Sequence, residues 1–365
     1  MGPDSQDAEE NGPSDVETSG TTEQPSPQKS GGSGNVVQQG VRFVEVGRGH
    51  QPDFATEVAQ GLSRPSGEKT LPYRFFYDAR GSALFDRITE LEEYYPTEAE
   101  LSILKTHGQD IAASCGVDLP VVELGSGSAT KARLLLPPFC AQATASLHYV
   151  PIDISRAALE ENARTLRTEL PRLRITAVVG EYRAGLAHLD EACARPRIIC
   201  WLGGSIGNMT RDVASDFLAL LTPQLGEGGS AVIGVDLRKD KEVLERAYDD
   251  AEGVTAEFNK NLLHRMQNEL GADLDLEGFR HVAEYDIDTG RVAMFLESVG
   301  AQTIRVESIG LEVELEDGER IHTESSFKYS FDEIESVARA AGLHVEERWL
   351  DGLGQFSLNR LVRIA

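Results

Sequence analysis

The stretch Glu123-Leu124-Gly125-Ser126-Gly127-Ser128-Ala129-Thr130-Lys131 sets two glycines between an apolar segment and a helix-forming one. Glycine there lets the backbone approach a ligand closely and adopt conformations closed to other residues. The motif alone leaves three readings open: an ordinary strand-to-helix turn, a dinucleotide site, or a site for S-adenosylmethionine. A dinucleotide fingerprint wants a third glycine to seat pyrophosphate on the helix N-terminus. Here Ser128, Ala129 and Thr130 follow instead. That departure, with Glu123 ahead of the loop, favours S-adenosylmethionine, which has no pyrophosphate. Asp153 closes Tyr149-Val150-Pro151-Ile152, a position from which a carboxylate accepts hydrogen bonds from both ribose hydroxyls. Glu181, in Gly180-Glu181-Tyr182, is placed to accept from an adenine amino group while Tyr182 flanks the ring. Either acid alone reads equally well as an exposed loop residue; what joins them is that all three sites fall after successive strands.

Those strands are read from short Val- and Ile-rich runs at residues 121–124, 147–152, 175–179, 198–202 and 230–235, spaced by helical pattern. Leu159, Ala163, Leu166 and Leu170 recur on one helical stripe, with Ser155 as its N-cap. A doubly wound, mostly parallel sheet follows. After Asp236 the alternation stops. Residues 241–248 and 254–270 read as helices, and residues 292–296, 302–309 and 311–315 as strands. The core pattern resumes with a helix over 332–341 and strands over 344–350 and 356–364.

Composition sets the limits. The chain has 365 residues, 40% of them hydrophobic, enough for one large α/β domain or two that share a core, and too many for a disulfide-stapled scaffold. Lys+Arg 35 against Asp+Glu 60 gives a formal net charge of −25, which disfavours nucleic acid and anionic membranes as partners. The four cysteines, Cys115, Cys140, Cys193 and Cys200, have no Cys-x-x-Cys spacing, which suits a reducing compartment. The eight histidines show no metal-ligand spacing, so no metal site is assigned. No apolar run reaches membrane-spanning length and nothing near Met1 reads as a signal peptide. The expectation is a soluble, cytoplasmic monomer acting on a small molecule. Residues 1–40 hold seven acids, one base and no aromatic residue, and are expected to be a disordered tail.

Longer blocks make the chain similar to a known family. They are Tyr77-Asp78-Ala79-Arg80-Gly81-Ser82-Ala83-Leu84-Phe85, Glu93-Tyr94-Tyr95-Pro96-Thr97, Leu202-Gly203-Gly204-Ser205-Ile206-Gly207-Asn208, Ala247-Tyr248-Asp249-Asp250 and Thr323-Glu324-Ser325-Ser326-Phe327-Lys328-Tyr329. These resemble the signature of the histidine-specific Nα-methyltransferases of ergothioneine biosynthesis, which transfer three methyl groups to the α-amine of histidine and yield hercynine. The resemblance implies an α/β class I methyltransferase fold: a Rossmann-like, mostly parallel seven-stranded sheet with an inserted α+β substrate-binding domain. It divides the chain into the tail, a substrate-binding part (residues 41–98 and 238–327) and a cofactor-binding core (residues 99–237 and 328–365).

Carried over residue by residue, the resemblance puts the substrate carboxylate between Asn208, Tyr248 and Tyr95 and the α-amine near the backbone of Gly203. Glu324 and Ser326 match the pair that holds the imidazole, with Tyr77 closing that pocket and Met294 lining it. Gly125, Ser126, Gly127, Lys131, Asp153, Glu181 and Tyr182 would hold S-adenosylmethionine. Glu181 stands where the family more usually has aspartate, and Tyr182 where it has phenylalanine. No residue is nominated as general base. Alternative readings are methylation of tryptophan or a related amino acid, a non-catalytic S-adenosylmethionine-binding module, and a nucleotide-dependent oxidoreductase. Retention of Glu324, Ser326 and Met294 argues against the first, since indole offers one donor and no acceptor.

Overall fold

The computed structural model describes residues 35–38, 41–46 and 52–364. In chain order, β1 (Asn35–Gln38) and β2 (Val41–Glu45) precede α1 (Phe54–Leu62), α2 (Ala79–Ile88) and the long α3 (Tyr95–Cys115). Alternating units follow: β3 (Val121–Leu124), α4 (Ala132–Gln142), β4 (His148–Asp153), α5 (Arg156–Glu169), β5 (Arg174–Val179), α6 (Tyr182–Ala187), α7 (Leu189–Ala192), β6 (Ile198–Trp201), α8 (Arg211–Leu225) and β7 (Ser230–Asp236). An inserted segment carries α9 (Lys241–Tyr248), α10 (Val254–Leu270), β8 (Phe279–Asp286), β9 (Arg291–Ser298), β10 (Gln302–Val306), β11 (Leu311–Leu315) and β12 (Arg320–Phe327). The chain returns through α11 (Phe331–Ala340), β13 (Leu343–Leu350) and β14 (Phe356–Arg363).

One sheet has the order β1-β2-β5-β4-β3-β6-β7-β14-β13. The strands from β2 to β7 run parallel, and β14 enters antiparallel between β7 and β13. Seven of these strands are the ones the sequence pattern predicts; β1 and β2 extend the sheet at the β5 edge. This corrects the placement of residues 41–45 with the substrate-binding part and of residues 35–38 with the tail. Val41, Phe43 and Val44 are buried there, and β2 covers an edge that β5 would otherwise leave open. Residues 1–34 and 39–40, the rest of the expected tail, lie outside the described residues. Successive strand residues face opposite sides. Val122, Val150, Ile152, Trp201 and Ile233 pack beneath α8 and α11, while Val121, Tyr149, Ile175, Ile198 and Val232 pack beneath α3, α4 and α5.

The insert builds an antiparallel sheet, β12-β9-β8, and a separate hairpin, β10-β11. Its apolar core is shared with the N-terminal helices: Phe54, Val58, Leu84 and Ile88 of α1 and α2 meet Phe258, Leu262 and Met266 of α10 and Met294 and Leu296 of β9. Local chemistry fixes these helices. Asp78 caps α2 by accepting from Gly81 N–H (2.7 Å) and also accepts from Asn261 Nδ2 of α10 (2.8 Å). A Cβ on Gly81 would overlap the Phe76 carbonyl, so only glycine allows α2 to lie that close. Among the described residues, no helix is long and apolar enough to cross a membrane.

Asp250 joins the end of α9 to the start of α10, accepting from Val254 N–H (2.9 Å) and Thr255 N–H (2.7 Å). Asp250→Ala leaves both amides of that helix N-terminus without an acceptor and should cost about 1–2 kcal/mol, read as a lower urea midpoint with an unchanged slope. Asp250→Asn, which keeps an acceptor, should lose less.

Candidate active site

The carboxyl ends of the parallel strands meet in one crevice. After β3, Gly125 (φ +68°) and Gly127 (φ +45°) turn the chain, and Gly127 N–H donates to Asp153 Oδ2 at 2.9 Å. Asp153 Oδ1 accepts from Ser155 N–H at 2.9 Å. Each carboxylate oxygen therefore keeps a lone pair for a further donor. Ser126 Oγ is buried and has no hydrogen-bond partner among the described residues. A Cβ on Gly125 would overlap the Tyr182 hydroxyl, so the Tyr182 ring lies against the loop, edge-on to Trp201 and Phe217. Glu181, half-buried, sits at the N-cap position of α6 beside this ring. These features fit an adenosine-bearing cofactor: a glycine cradle, a carboxylate able to accept from a diol, and an orphaned buried hydroxyl. Glu123 points elsewhere. It is buried, accepts from the Tyr149 hydroxyl, and burial pushes its carboxyl up to about 7.

Lys131 reaches across the crevice to Glu100 Oε2 at 2.7 Å, and Glu100 also accepts from Gly203 N–H at 2.8 Å. Gly203 and Gly204 both have positive φ (+81° and +65°) and turn the chain sharply after β6 into a 3-10 turn, Ser205–Asn208. A Cβ on Gly207 would stand 3.0 Å from the Phe327 carbonyl and 3.3 Å from Ser326 Oγ. Glycine thus lets the turn carrying Asn208 lie directly on β12, which brings the core and the insert together.

On β12 a bulge between His322 and Glu324 resets the pleat, and Glu324 pairs with Met294 of β9. Glu324 and Ser326, two residues apart, then share a face with Met294. Tyr248, at the end of α9, donates to Ser326 Oγ at 2.8 Å. His281 holds that helix end: its Nε2–H donates to the Tyr248 carbonyl at 2.7 Å, and Nδ1 accepts from Asn259 at 2.8 Å. Tyr94 stands edge-on to Tyr248 with ring centroids 6.5 Å apart, and Tyr77 packs edge-on to Phe85 and Phe258. Burial, and after it the charge of Glu324, raises the phenol pKa of Tyr73, whereas Tyr77 keeps 42% of its surface exposed. Burial likewise pushes Glu324 up to about 7, opposed by Lys328.

Beneath this face lies a buried charge network. Asp236, the last residue of β7, is held by Lys239 (2.6 Å), Lys328 (2.7 Å) and the Tyr95 hydroxyl (2.8 Å). Lys328 donates further to Tyr248 Oη (2.8 Å) and Ser326 Oγ (2.9 Å).

The structure therefore gathers Gly125, Ser126, Gly127, Asp153, Glu181 and Tyr182 at the loop end of the crevice, and Lys131 and Gly203 around Glu100. Tyr77, Tyr248, Met294, Glu324 and Ser326 gather on the insert side, with Asn208 on the turn between. The Tyr95 hydroxyl is engaged by Asp236 and Lys239, and the neighbouring Tyr94 stands edge-on to Tyr248. Sequence reasoning missed Glu100, Asp236, Lys239 and Lys328. The signals were present: Lys328 continues the two-residue period of Glu324 and Ser326, Asp236 ends an apolar strand, and Glu100 interrupts the apolar face of α3.

The profile of the family described as "Histidine-specific methyltransferase, SAM-dependent" matches residues 54–363. The histidine N-alpha-methyltransferase of Mycolicibacterium smegmatis is 40% identical over 307 residues, covering 84% of this chain and 94% of its own. That of Mycobacterium tuberculosis is 38% identical, covering 83% and 92%. Ergothioneine biosynthesis protein 1 of Neurospora crassa is 33% identical over 85% of this chain but 35% of its own length.

A carboxyl with a folded-state pKa raised to about 7 binds its proton more tightly folded than unfolded, so stability is lost as pH rises from the unfolded value through 7. Glu324→Gln removes that slope. Its melting temperature should match the wild type near pH 5 and exceed it at pH 8, by the equivalent of about 2 kcal/mol; equal values at both pH would place the carboxyl in an ordinary environment.

Proposed function

The chain belongs to the S-adenosylmethionine-dependent, histidine-specific methyltransferase family, and from that premise we propose that it trimethylates the α-amine of L-histidine to hercynine, the first step of ergothioneine biosynthesis. The observation that carries the reading is the shared face of Glu324 and Ser326 on β12: one acceptor and one hydroxyl, two residues apart, beside Met294 and Tyr248. An imidazole asks for that combination, one N–H and one bare nitrogen. A site built to satisfy both rejects side chains that lack either.

S-adenosylmethionine supplies an electrophilic sulfonium methyl. The chain's own residues bind and orient. Gly125, Ser126, Gly127, Asp153, Glu181 and Tyr182 are assigned to the cofactor, with Lys131 bracing the neighbouring turn through Glu100. Asn208 is assigned to the substrate carboxylate, with Tyr94, Tyr95 and Tyr248 around it, Gly203 to the surroundings of the amine, and Glu324 and Ser326 to the ring, with Tyr77 closing the pocket. Holding both ends of an amino acid fixes the amine for in-line attack, and orientation of this kind supplies most of the rate. No side chain is assigned as base; the amine enters as the free base or loses its proton to solvent. The protein is proposed to act as a monomer in a reducing cytoplasm, a setting that four cysteines without Cys-x-x-Cys spacing suit.

Mass spectrometry of purified protein with S-adenosylmethionine and either histidine or tryptophan tests this directly. Histidine should gain three methyl groups and tryptophan none. Glu324→Ala should lose about 100-fold in kcat/KM for histidine while still binding the cofactor. Methylation of tryptophan in preference to histidine would overturn the ring assignment, and cofactor binding without turnover of either would overturn the reaction.

A further inference from the structure

Lys328 is a charged residue only 1% exposed, and all of its donors point at functional atoms. Its Nζ lies 2.7 Å from Asp236 Oδ2, 2.8 Å from Tyr248 Oη and 2.9 Å from Ser326 Oγ. An ammonium has three protons and no lone pair, so these contacts use its whole capacity. A hydroxyl oxygen has two lone pairs and one proton. Ser326 Oγ accepts from Lys328 and from the Tyr248 hydroxyl, so both its lone pairs are filled and what it offers the pocket is its O–H. Tyr248 Oη likewise accepts from Lys328, which leaves its proton to be given away.

We propose that Lys328 is the positioning residue of the substrate pocket, acting through Ser326 and Tyr248: anchored on Asp236, it holds both oxygens by their lone pairs and turns both hydroxyls into donors. The inference rests on the histidine-methylating reading and adds to it the protonation state of the bound ring. With Ser326 a donor and Glu324 an acceptor, the pocket takes a neutral imidazole in one tautomer, its bare nitrogen toward Ser326 and its N–H toward Glu324. The single tautomer requires the Tyr248 proton to stay on Ser326, because a carboxylate that drew it away would return one lone pair to Ser326 Oγ. Indole leaves the Ser326 donor without an acceptor, and an imidazolium sets proton against proton there. Asp236 keeps Lys328 in place because a buried ammonium needs a paired charge.

Two measurements test this. Ring-15N-labelled histidine bound to the wild-type protein with S-adenosylhomocysteine at pH 8 should show one protonated and one bare ring nitrogen by NMR. Two protonated nitrogens would overturn the proposal even if the enzyme methylates histidine; failure of histidine to bind or react at all would instead strike the functional reading. Lys328→Met should raise KM for histidine about 10- to 100-fold with cofactor affinity unchanged, and should add little in a Ser326→Ala background. An unchanged KM, or additive losses, would reduce Lys328 to a structural ion pair. If Lys328→Met fails to bind the cofactor, Lys328→Gln, which keeps a neutral donor, takes its place under the same criteria, and the NMR result stands independently.

Discussion

The carboxylate of Asp236, buried at the end of β7, the last parallel strand of the sheet, is the point on which the core and the insert meet. Left alone such a group would be too costly to ionise in this position. Burial pushes its pKa up, but Lys328 and Lys239 outweigh burial and hold it below the ordinary carboxylate value. Each partner comes from a different place: Tyr95 opens α3, Lys239 leads into the insert, and Lys328 leads out of it. Removing one member of such a buried set leaves the others unpaired, typically at a cost of about 3–5 kcal/mol. Burial brings Lys239 down to about 8, so that corner of the network holds its charge less firmly than Lys328 does. The network thus fixes where the chain leaves the core sheet and where it returns.

A second tie runs in parallel. Glu100, one and a half turns along α3 from Tyr95, accepts from Gly203 N–H and receives Lys131, so the same helix secures the strand end of β6 as well as β7. Gly234 on β7 makes room for it, since a Cβ there would overlap Glu100 Oε1. The crevice is therefore bordered by helix α3 on one side and by the β12 face on the other, and both are locked to the sheet by buried charge rather than by apolar packing alone. Apolar packing has no preferred register, whereas a carboxylate with defined donors does, and a pocket that must hold two ligands in line needs that register.

The sheet was legible because its strands are buried on both faces and read as uninterrupted Val and Ile runs between Gly-rich turns. The same logic found β3 to β7 within about a residue of their ends. It missed β8 and β12, where Arg280-His281 and the polar run His322-Thr323-Glu324-Ser325-Ser326 break the apolar pattern by which strands are read. It missed β2 because three buried positions in a five-residue strand near the sheet edge give too little pattern to stand out. Among site residues, those in ordered blocks were identifiable and those acting at a distance were not. Lys328 lies in the block Thr323–Tyr329, yet its ion-pair partner Asp236 stands 92 positions earlier. Tyr94 and Tyr95 could not be separated from sequence, because which of two adjacent tyrosines faces the pocket depends on where α3 begins: Tyr95 is its first residue and Tyr94 its N-cap, so their side chains leave the backbone in different directions.

The distribution of charge around the crevice bears on the proposed trimethylation, in which one pocket would serve three successive transfers. Across the series the carboxylate and the imidazole of a histidine substrate keep their hydrogen-bonding character, while the amine loses its N–H donors one by one and ends as a cation with none. Anchors placed on the unchanging ends therefore keep their worth from the first transfer to the third. Glu324, Ser326 and Tyr248 lie on the insert, while Gly203 belongs to the core, and its exposed backbone carries no side chain to crowd a growing ammonium head. The two lysines are each committed to Asp236, so neither presents an unpaired positive charge to a substrate that becomes permanently cationic. A site that held its amine end by strong hydrogen bonds would stall after one or two methyl groups; one that holds the ring and the carboxylate, and leaves the amine space, does not.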